Sequence, residues 1–413
     1  MTPICRASVL MVVVLNVCPS SPARASIYDA IRQNDYRKVE KMLKSNPQLA
    51  NCSEEHGVKV TPLHIASVKG SPSMVKLLLS KKANVNALDD NGWTPLYYAI
   101  DIDKRQVAEL LLSHGANVNI RAKDGMSALL YAVAEDSLEI AKLLISSRAD
   151  VNVRENKNLY APLHFAAANG NVKLAQLLID NGARIDAKEK SGLTPLAMAV
   201  VLGDSPMIDL LIARGADINC RDKEGMTPLH LAVGKPLPVS RLDEHGMTLL
   251  HSAHDIQEAG NRSRAVVEDL LARGANPNLR DNSGDSPLDR AACVGTLNQE
   301  FGAVLPLIQH TDPKNVNSNG ATALHWAVIL GKRELIEAAI KRGADVNAQI
   351  KNGGWSALHF AVYGRQPDAV HLLIESGADV NLRDVDGQTP LGLAVQKGFE
   401  DIAVILRKHG GVE

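Results

Sequence analysis

Histidine, the side chain best suited to bind a metal or move protons near neutral pH, recurs throughout the chain. One cluster, His245, His251, His254 and Asp255, has residue types found at zinc sites. His251 also belongs to a set that occupies a single position of a repeated phrase, and a catalytic group would not need six copies. The set comprises His64, His164, His230, His251, His325 and His359. We predict that these rings are structural and that the protein binds no metal.

Other patterns that carry chemistry are missing from the sequence. It contains no Gly-rich phosphate loop, no paired Cys-x-x-Cys motif and no zinc-binding helix motif. Basic side chains form no long run, so nucleic acid is not expected as a partner. We therefore expect no enzyme activity and no cofactor. One alternative stays open, which is an enzyme whose site lies within residues 234–262.

The elements that carry the histidines are copies of one repeat. Thr61-Pro62-Leu63-His64 recurs five times at intervals of 33, 33, 34, 33 and 33 residues, and degenerate copies continue to Thr389-Pro390-Leu391-Gly392. A fixed period of this size is typical of a solenoid, in which each repeat packs only on its neighbours. The sequence therefore predicts an extended binding surface rather than a reactive pocket.

A single repeat contains the signals for two helices. Thr94 and Pro95 are typical of an N-cap followed by a first-turn proline, and residues 107–112 have apolar side chains at helical spacing. Gly115 is suited to the left-handed residue that ends a helix. An extended segment and a turn at Asp124-Gly125 then lead to the next copy.

The second recurring phrase is Gly-Ala-Asp-Val-Asn, as in Gly343–Asn347 and Gly377–Asn381. Through this phrase and Thr-Pro-Leu-His, the chain resembles the ankyrin-repeat family over nearly all residues after 25. The resemblance implies an all-α solenoid of about eleven helix pairs with short turn or hairpin fingers. It also implies a protein partner, bound along the inner helices and fingers. Residues 28–43 and 399–406 have the patterns of the two terminal helix pairs.

Residues 1–25 have the pattern of a secretory signal peptide, with Arg6, an apolar run at 9–17 and Ala23-Arg24-Ala25 before Ser26. Cys18 leaves a lipoprotein as a lesser alternative. A run of about nine residues is too short to cross a bilayer, which needs about 20, so we predict no membrane span after cleavage. The mature chain would keep 43 basic and 46 acidic side chains. Its location is expected to be periplasmic or extracellular.

The repeat pattern breaks after Thr227, and Pro306 and Pro313 are expected to interrupt a later interval of 36 residues. The interval after Thr227 falls to 21 residues, and Pro236 and Pro238 end the helix that begins there. We predict N-terminal repeats over 26–233, an irregular module over 234–262 and C-terminal repeats over 263–413. Residues 260–263 are expected to lengthen a loop between helices. The module is either neutral drift or an adapted contact site or hinge.

Aromatic residues make up only 3% of the chain, and eight of the fourteen lie directly before or after the Thr-Pro-Leu-His phrase. In the family these positions face the inner side, although they can also be core. We predict two partner-binding patches, since large rings are favoured at interfaces. The first contains Trp93, Tyr98, Tyr131, Tyr160 and Phe165, and the second Trp326, Trp355 and Phe360.

Three cysteines remain after residue 25, namely Cys52, Cys220 and Cys293, in repeats too far apart for a disulfide. Cys293 is expected to be a buried small hydrophobe. The interpretation that we favour is an exported, monomeric, non-catalytic protein that binds another protein through its concave face. A periplasmic factor that protects or assembles a client enzyme is the alternative.

Overall fold

The computed structural model describes residues 22–53, 59–233, 255–298 and 302–413. Its regular elements in these ranges are helices arranged as antiparallel pairs, which confirms the all-α repeat fold. The described residues form two compact units. One comprises residues up to 199 together with 206–216, and the other comprises 200–205, 217–233 and the chain from 255 onward.

Twenty-two α-helices, or eleven pairs, lie within the described ranges. The chain up to residue 213 contains α1 (Pro22–Arg32), α2 (Tyr36–Ser45), α3 (Pro62–Lys69), α4 (Pro72–Ser80), α5 (Pro95–Asp101), α6 (Arg105–Ser113), α7 (Ala128–Ala134), α8 (Leu138–Ser146), α9 (Pro162–Ala168), α10 (Val172–Asp180), α11 (Pro195–Leu202) and α12 (Ser205–Ala213). The chain from residue 228 contains α13 (Pro228–Val233), α14 (Asp255–Ala272), α15 (Pro287–Asn298), α16 (Val304–His310), α17 (Ala323–Ile329), α18 (Arg333–Lys341), α19 (Ala357–Tyr363), α20 (Pro367–Glu375), α21 (Pro390–Lys397) and α22 (Glu400–Lys408). None of them, over the residues described, is long and apolar enough to cross a bilayer.

The second and third repeats form helices where the sequence signals place them. Thr94 precedes α5, and its hydroxyl accepts a hydrogen bond from the backbone N–H of Tyr97 at 3.3 Å. Pro95 occupies the first turn, where its missing N–H leaves no bond unmade. Gly115 follows α6 with a φ of +86°, a conformation that glycine adopts at low cost. The turn that follows is closed by the N–H of Ala122, which donates to the carbonyl of Met126 at 2.8 Å.

Within each unit, a helix pair buries one side against the next pair. In the first unit, α3, α5, α7 and α9 stack on one another as the first helices of their repeats, while α2, α4 and α6 stack as second helices. In the second unit, α13, α15, α17, α19 and α21 form the same kind of row. The terminal pairs follow the prediction, because Tyr28, Leu43, Ile402 and Leu406 are fully buried.

Asparagine side chains connect successive repeats at the base of the fingers. The carbonyl oxygen of Asn119 accepts from the N–H of Asp150 at 2.8 Å, and its amide donates to the carbonyl of Arg148 at 3.1 Å. Asn347 makes the same two bonds to Asp379 and Gly377, at 2.7 and 3.3 Å. The last residue of the Gly-Ala-Asp-Val-Asn phrase is therefore a clamp between repeats, a role that the repeated phrase alone does not indicate.

The interruption after Thr227 is an insertion within one repeat. The ring of His64 bonds to a carbonyl 29 residues later, whereas His230 bonds to the carbonyl of Asp285, 55 residues later. The carbonyl oxygen of Asn219 likewise accepts from the N–H of Asn276, 57 residues later, whereas that of Asn119 accepts from Asp150, 31 residues later. In both comparisons, the sequence separation across this repeat is 26 residues longer than in the ordinary repeat. The contacts between repeats therefore continue past the extra residues.

Two expectations for the chain after Thr227 differ from the structure. Residues 260–263 belong to α14, which has 18 residues where most second helices have nine, so the expected loop there is wrong. Pro306, expected to interrupt its repeat, lies in the first turn of α16, where a missing N–H is tolerated. Residues 1–21 and 234–254, including the copy of the phrase at Thr248, lie outside the described residues.

Deleting residues 235–260 tests the insertion. It joins Gly234 to Asn261 and places Arg264 eleven residues after Thr227, the same separation as between Ala161 and Val172 at the start of α10. Because the clamps across this repeat are kept, we expect a free energy of unfolding that is unchanged or higher by about 1 kcal/mol, since a shorter connection loses less entropy on closing. Urea unfolding followed by circular dichroism measures it.

The control deletes the same number of residues from a segment that makes the contacts between repeats. Deletion of 255–280 takes away all of α14 and the clamp partner Asn276, and it should lower the unfolding midpoint strongly. Equal loss of stability in the two deletions would contradict the insertion.

Candidate protein-binding surface

The recurring histidines lie at the start of the first helices. In His64 the Nδ1 atom accepts from the backbone N–H of Thr61 at 3.1 Å and from the Thr61 hydroxyl at 2.9 Å. The other ring nitrogen, Nε2, donates to the carbonyl of Trp93 in the next repeat at 3.1 Å. Both nitrogens are therefore occupied within the fold, and the ring joins two repeats.

Three other histidines repeat this arrangement, and a fourth, His325, repeats it at Nδ1 only. The Nε2 atoms of His164, His230 and His359 contact carbonyls of the following repeat at 3.2, 3.0 and 3.3 Å, and Nδ1 of His325 accepts from Thr322 at 3.1 Å. The predicted structural role is confirmed for these rings. Of the possible metal cluster, residues 245, 251 and 254 lie outside the described residues. Within the described ranges, no group of three or more His, Cys, Asp or Glu side chains is placed to hold a metal ion.

Burial holds the histidines in the neutral form. It lowers the pKa of His64, His164 and His325 to about 4, because a charged ring would lose its hydration. Burial also lowers the pKa of His230 and His359. Protonation at Nδ1 would in addition place an N–H against the N–H that it now accepts from.

Stability should therefore fall in acid. The unfolded chain takes up protons near pH 6.5 and the folded rings only near pH 4, so stability is lost as the pH falls through this window. The loss is about 3 kcal/mol for each of the three most shifted rings. Urea unfolding between pH 7 and 4.5 measures the slope.

The matched variant is His164→Leu, because Leu130 occupies this position in the preceding repeat. It should be less stable at pH 7 by about 1–2 kcal/mol through lost hydrogen bonds. Its stability should also depend less steeply on pH. An unchanged slope would show that His164 does not titrate as described.

The first predicted aromatic patch lies mostly in the interior. Trp93 is only 8% exposed, and Tyr98, Tyr131 and Phe165 are also buried. The hydroxyl of Tyr98 donates to Asp89 at 2.8 Å, and burial together with this carboxylate raises the pKa of Tyr98. These rings are core side chains of the first unit, which was the alternative for this patch. Their role in partner binding stays a prediction.

The remaining members of the first patch also have partners within the fold. Tyr131 donates a short hydrogen bond to Asp101, and burial raises the pKa of that carboxyl. Tyr160 is half-buried, 5.7 Å from the ring of Phe165 and next to Glu189 and Glu155, and its pKa is raised to about 12, chiefly by burial. Of this patch, Tyr160 is the member that reaches the surface most.

The second patch is more exposed. Trp326, Trp355 and Phe360 are each half-buried. The indole of Trp326 donates to the buried carboxylate of Asp289 at 2.7 Å, which fixes that ring within the fold. The rings of Trp355 and Phe360 lie 5.1 Å apart, edge to face. The structure therefore brings these two together at the start of α19, with Trp355 in the preceding finger and Phe360 on the helix.

Tyr363 completes this group, although neither predicted patch contains it. Its ring is 53% exposed and lies 5.2 Å from Trp355, and the Lys397 ammonium lies 4.8 Å from its centroid. The signal was available, since Tyr363 follows Phe360 by three residues and shares its side of α19. We call Trp355, Phe360, Tyr363 and Lys397 the α19 surface.

The position of Tyr363 distinguishes the two units. At the matching end of the first helix, the first unit has buried Val68, half-buried Asp101 and half-buried alanines. The second unit has Ile329, 37% exposed, and Cys293, which is exposed. The expectation that Cys293 is buried was wrong, because Cys293 lies midway along α15 on a side that is exposed to solvent. Within the residues described, the second unit therefore exposes Cys293, Ile329 and Tyr363 at this position, whereas α21 has the polar Gln396 there.

Comparison with known proteins assigns the family. The family model described as "Ankyrin repeats (3 copies)" matches residues 27–122, 102–155, 115–189, 163–239, 256–350, 296–384 and 351–413. The chain belongs to the ankyrin-repeat family. This confirms the family to which the repeated phrases pointed.

Curated relatives match parts of this ankyrin-repeat chain. It is 34% identical to the Nuclear factor NF-kappa-B p105 subunit of Gallus gallus over 150 residues, which are 35% of this chain and 15% of that protein. It is 41% identical to NF-kappa-B inhibitor alpha of Homo sapiens over 90 residues, which are 20% of this chain and 27% of that protein. The chain thus spans less than a third of the length of either relative.

Among solved structures, the ankyrin repeat domain of Bcl-3, described as a unique member of the IkappaB protein family, is similar to this protein. The similarity covers 52% of this chain and 94% of that domain, at 27% identity and a TM-score of 0.48.

Proposed function

We propose that this protein is an exported, non-catalytic binding protein that holds a protein partner on the inner side of its second unit. The observation that supports it is the α19 surface, where Tyr363 is more than half exposed beside two half-buried rings. A folded chain leaves large rings in water at a cost that contact with a partner would remove.

The composition of the α19 surface suits a protein interface. Trp355 and Phe360 are held by neighbouring side chains, so they lose little freedom on binding. Tyr363 offers an apolar ring with a polar hydroxyl, and Lys397 adds a positive charge at its edge. Rigid aromatic anchors next to a cation are typical of the residues that dominate binding energy.

The similarity to known proteins supports protein binding in general terms. One relative is named as an inhibitor of another protein, NF-kappa-B inhibitor alpha. Its match covers a fifth of this chain, so it supports a protein partner without identifying one. The alternative that the partner is a client enzyme, protected or assembled in the periplasm, uses the same surface.

Export is proposed on the pattern of residues 1–25, in which an apolar run precedes Ala23-Arg24-Ala25. Helix α1 begins at Pro22, so cleavage after Ala25 would remove its first four residues and keep the buried side chains of Ile27 and Tyr28. The enzyme alternative within 234–262 concerns residues that are mostly outside the described ranges.

The binding proposal is tested by capture on the immobilised protein from envelope and secreted fractions of the source organism. A captured protein is then titrated against Trp355→Ala/Tyr363→Ala. Loss of both rings should weaken binding by at least about 2 kcal/mol, or roughly 30-fold. Circular dichroism confirms that the variant is folded.

Tyr36→Ala is the matched control, because Tyr36 is an exposed aromatic of the first unit. It should bind as the unchanged protein does. Equal affinity of the double variant and the control for every captured protein would reject the α19 surface as the binding site.

Export is tested by the N-terminal sequence of the protein isolated from its own cells. Cleavage should give a chain that begins at Ser26, and Ala25→Arg should retain residues 1–25, since the cleavage site requires a small side chain. A chain isolated from the cell that still begins at residue 1 would contradict export.

A further inference from the structure

An exposed leucine stands where every comparable finger has glycine. Leu159 precedes Tyr160 in the finger of the fourth repeat, has a φ of +63° and is 40% exposed. The other described fingers place glycine here, with φ between +66° and +92°. They are Gly92, Gly125, Gly192, Gly225, Gly284, Gly320, Gly354 and Gly387.

The backbone does not require leucine at this position. A bulky side chain is an outlier in left-handed backbone, because its Cβ approaches the following carbonyl. The finger at 352–355 is equally long, since its phrase also follows after 34 residues, and it has Gly354 with a φ of +66°. Leu159 therefore adds strain, and its exposure means that it recovers little by packing.

The finger around Leu159 is rigid. Glu155 is buried and accepts hydrogen bonds from the N–H groups of Lys157, Asn158 and Tyr160, at 2.6, 2.7 and 3.0 Å. The carbonyl of Asn158 accepts from the N–H of Lys190 in the next finger at 2.7 Å. Leu159 therefore extends into solvent from a backbone that these hydrogen bonds hold in place.

Charge around this leucine is arranged with acidic groups inside and basic groups outside. The carboxylate of Glu189 is buried and accepts from the N–H groups of Ser191 and Leu193, as that of Glu155 does in its own finger. The side chains of Lys123, Lys157 and Lys190, one from each of three adjacent fingers, are exposed. Backbone hydrogen bonds link these fingers, from Asn156 to Asp124 and from Lys190 to Asn158, so the three lysines and Leu159 belong to consecutive fingers along one edge.

We propose that Leu159 is a contact residue for an acidic protein segment, one that places an apolar side chain on Leu159 and carboxylates against Lys123, Lys157 and Lys190. This surface belongs to the first unit and is separate from the α19 surface, so it goes beyond the function proposed above. Strain maintained at an exposed apolar residue is explained by a contact made only in the complex.

The test uses a displayed library of short random peptides, selected on the purified protein. Enriched peptides should combine an apolar side chain with neighbouring Asp or Glu. Leu159→Gly should weaken their binding about tenfold while its thermal midpoint equals or exceeds that of the unchanged protein. Lys190→Glu should also weaken binding, and affinity should fall between about 50 and 300 mM salt.

Two controls separate this proposal from its alternatives. Leu88→Asn removes a leucine that is 50% exposed, has ordinary backbone and lies in the finger two repeats earlier, and it should leave binding unchanged. Trp355→Ala/Tyr363→Ala should also bind the peptides normally, so that failure here and failure of the α19 surface are distinguishable.

Three results would overturn the proposal. The first is selection that enriches no peptide, or peptides without acidic residues. The second is a Leu159→Gly variant that binds as the unchanged protein does. The third is a lower thermal midpoint for that variant, because the leucine would then stabilise the folded finger.

Discussion

The contact between one repeat and the next is the interaction on which the rest of the structure depends. First helices have about seven residues and second helices about nine, which is too short for stability in isolation. Each pair therefore gains its stability by burying a side against its neighbour. Hydrogen bonds link the repeats in the same way, since the histidine ring and the asparagine clamp both bond to backbone groups of the following repeat.

This dependence on neighbours explains how the chain accommodates 26 extra residues in one repeat. The groups that must meet are the clamp, the histidine ring and the stacked helices, and all of them are present on either side of the insertion in the second unit. A connection may lengthen where it leaves these contacts unchanged, because loop closure becomes more costly only slowly with length. Insertion is tolerated between the helices of a pair, whereas the spacing from α14 to the clamp stays fixed.

The sequence was sufficient to predict the repeats because their signals are local and recur. Thr94 with Pro95 starts a helix, Gly115 ends one, and the period places both in each copy. The aromatic patches could not be predicted in the same way. Whether a ring such as Tyr98 is core or surface depends on the finger that covers it, and here Asp89 in that finger binds its hydroxyl. Tyr363 was missed because its residue type does not recur, and α14 because a phrase at Thr248 resembles the start of a repeat.

A repeat protein provides its own standard for deciding which residues need an explanation. Asp289 replaces the usual histidine, and the fold compensates fully, since this carboxylate accepts from Ser286 and from the indole of Trp326. Leu159 and Tyr363 depart from their positions without comparable compensation, because one is strained and both are exposed. Departures that the fold compensates are explained by stability. Those that it leaves uncompensated are where contact with another molecule is the better physical explanation.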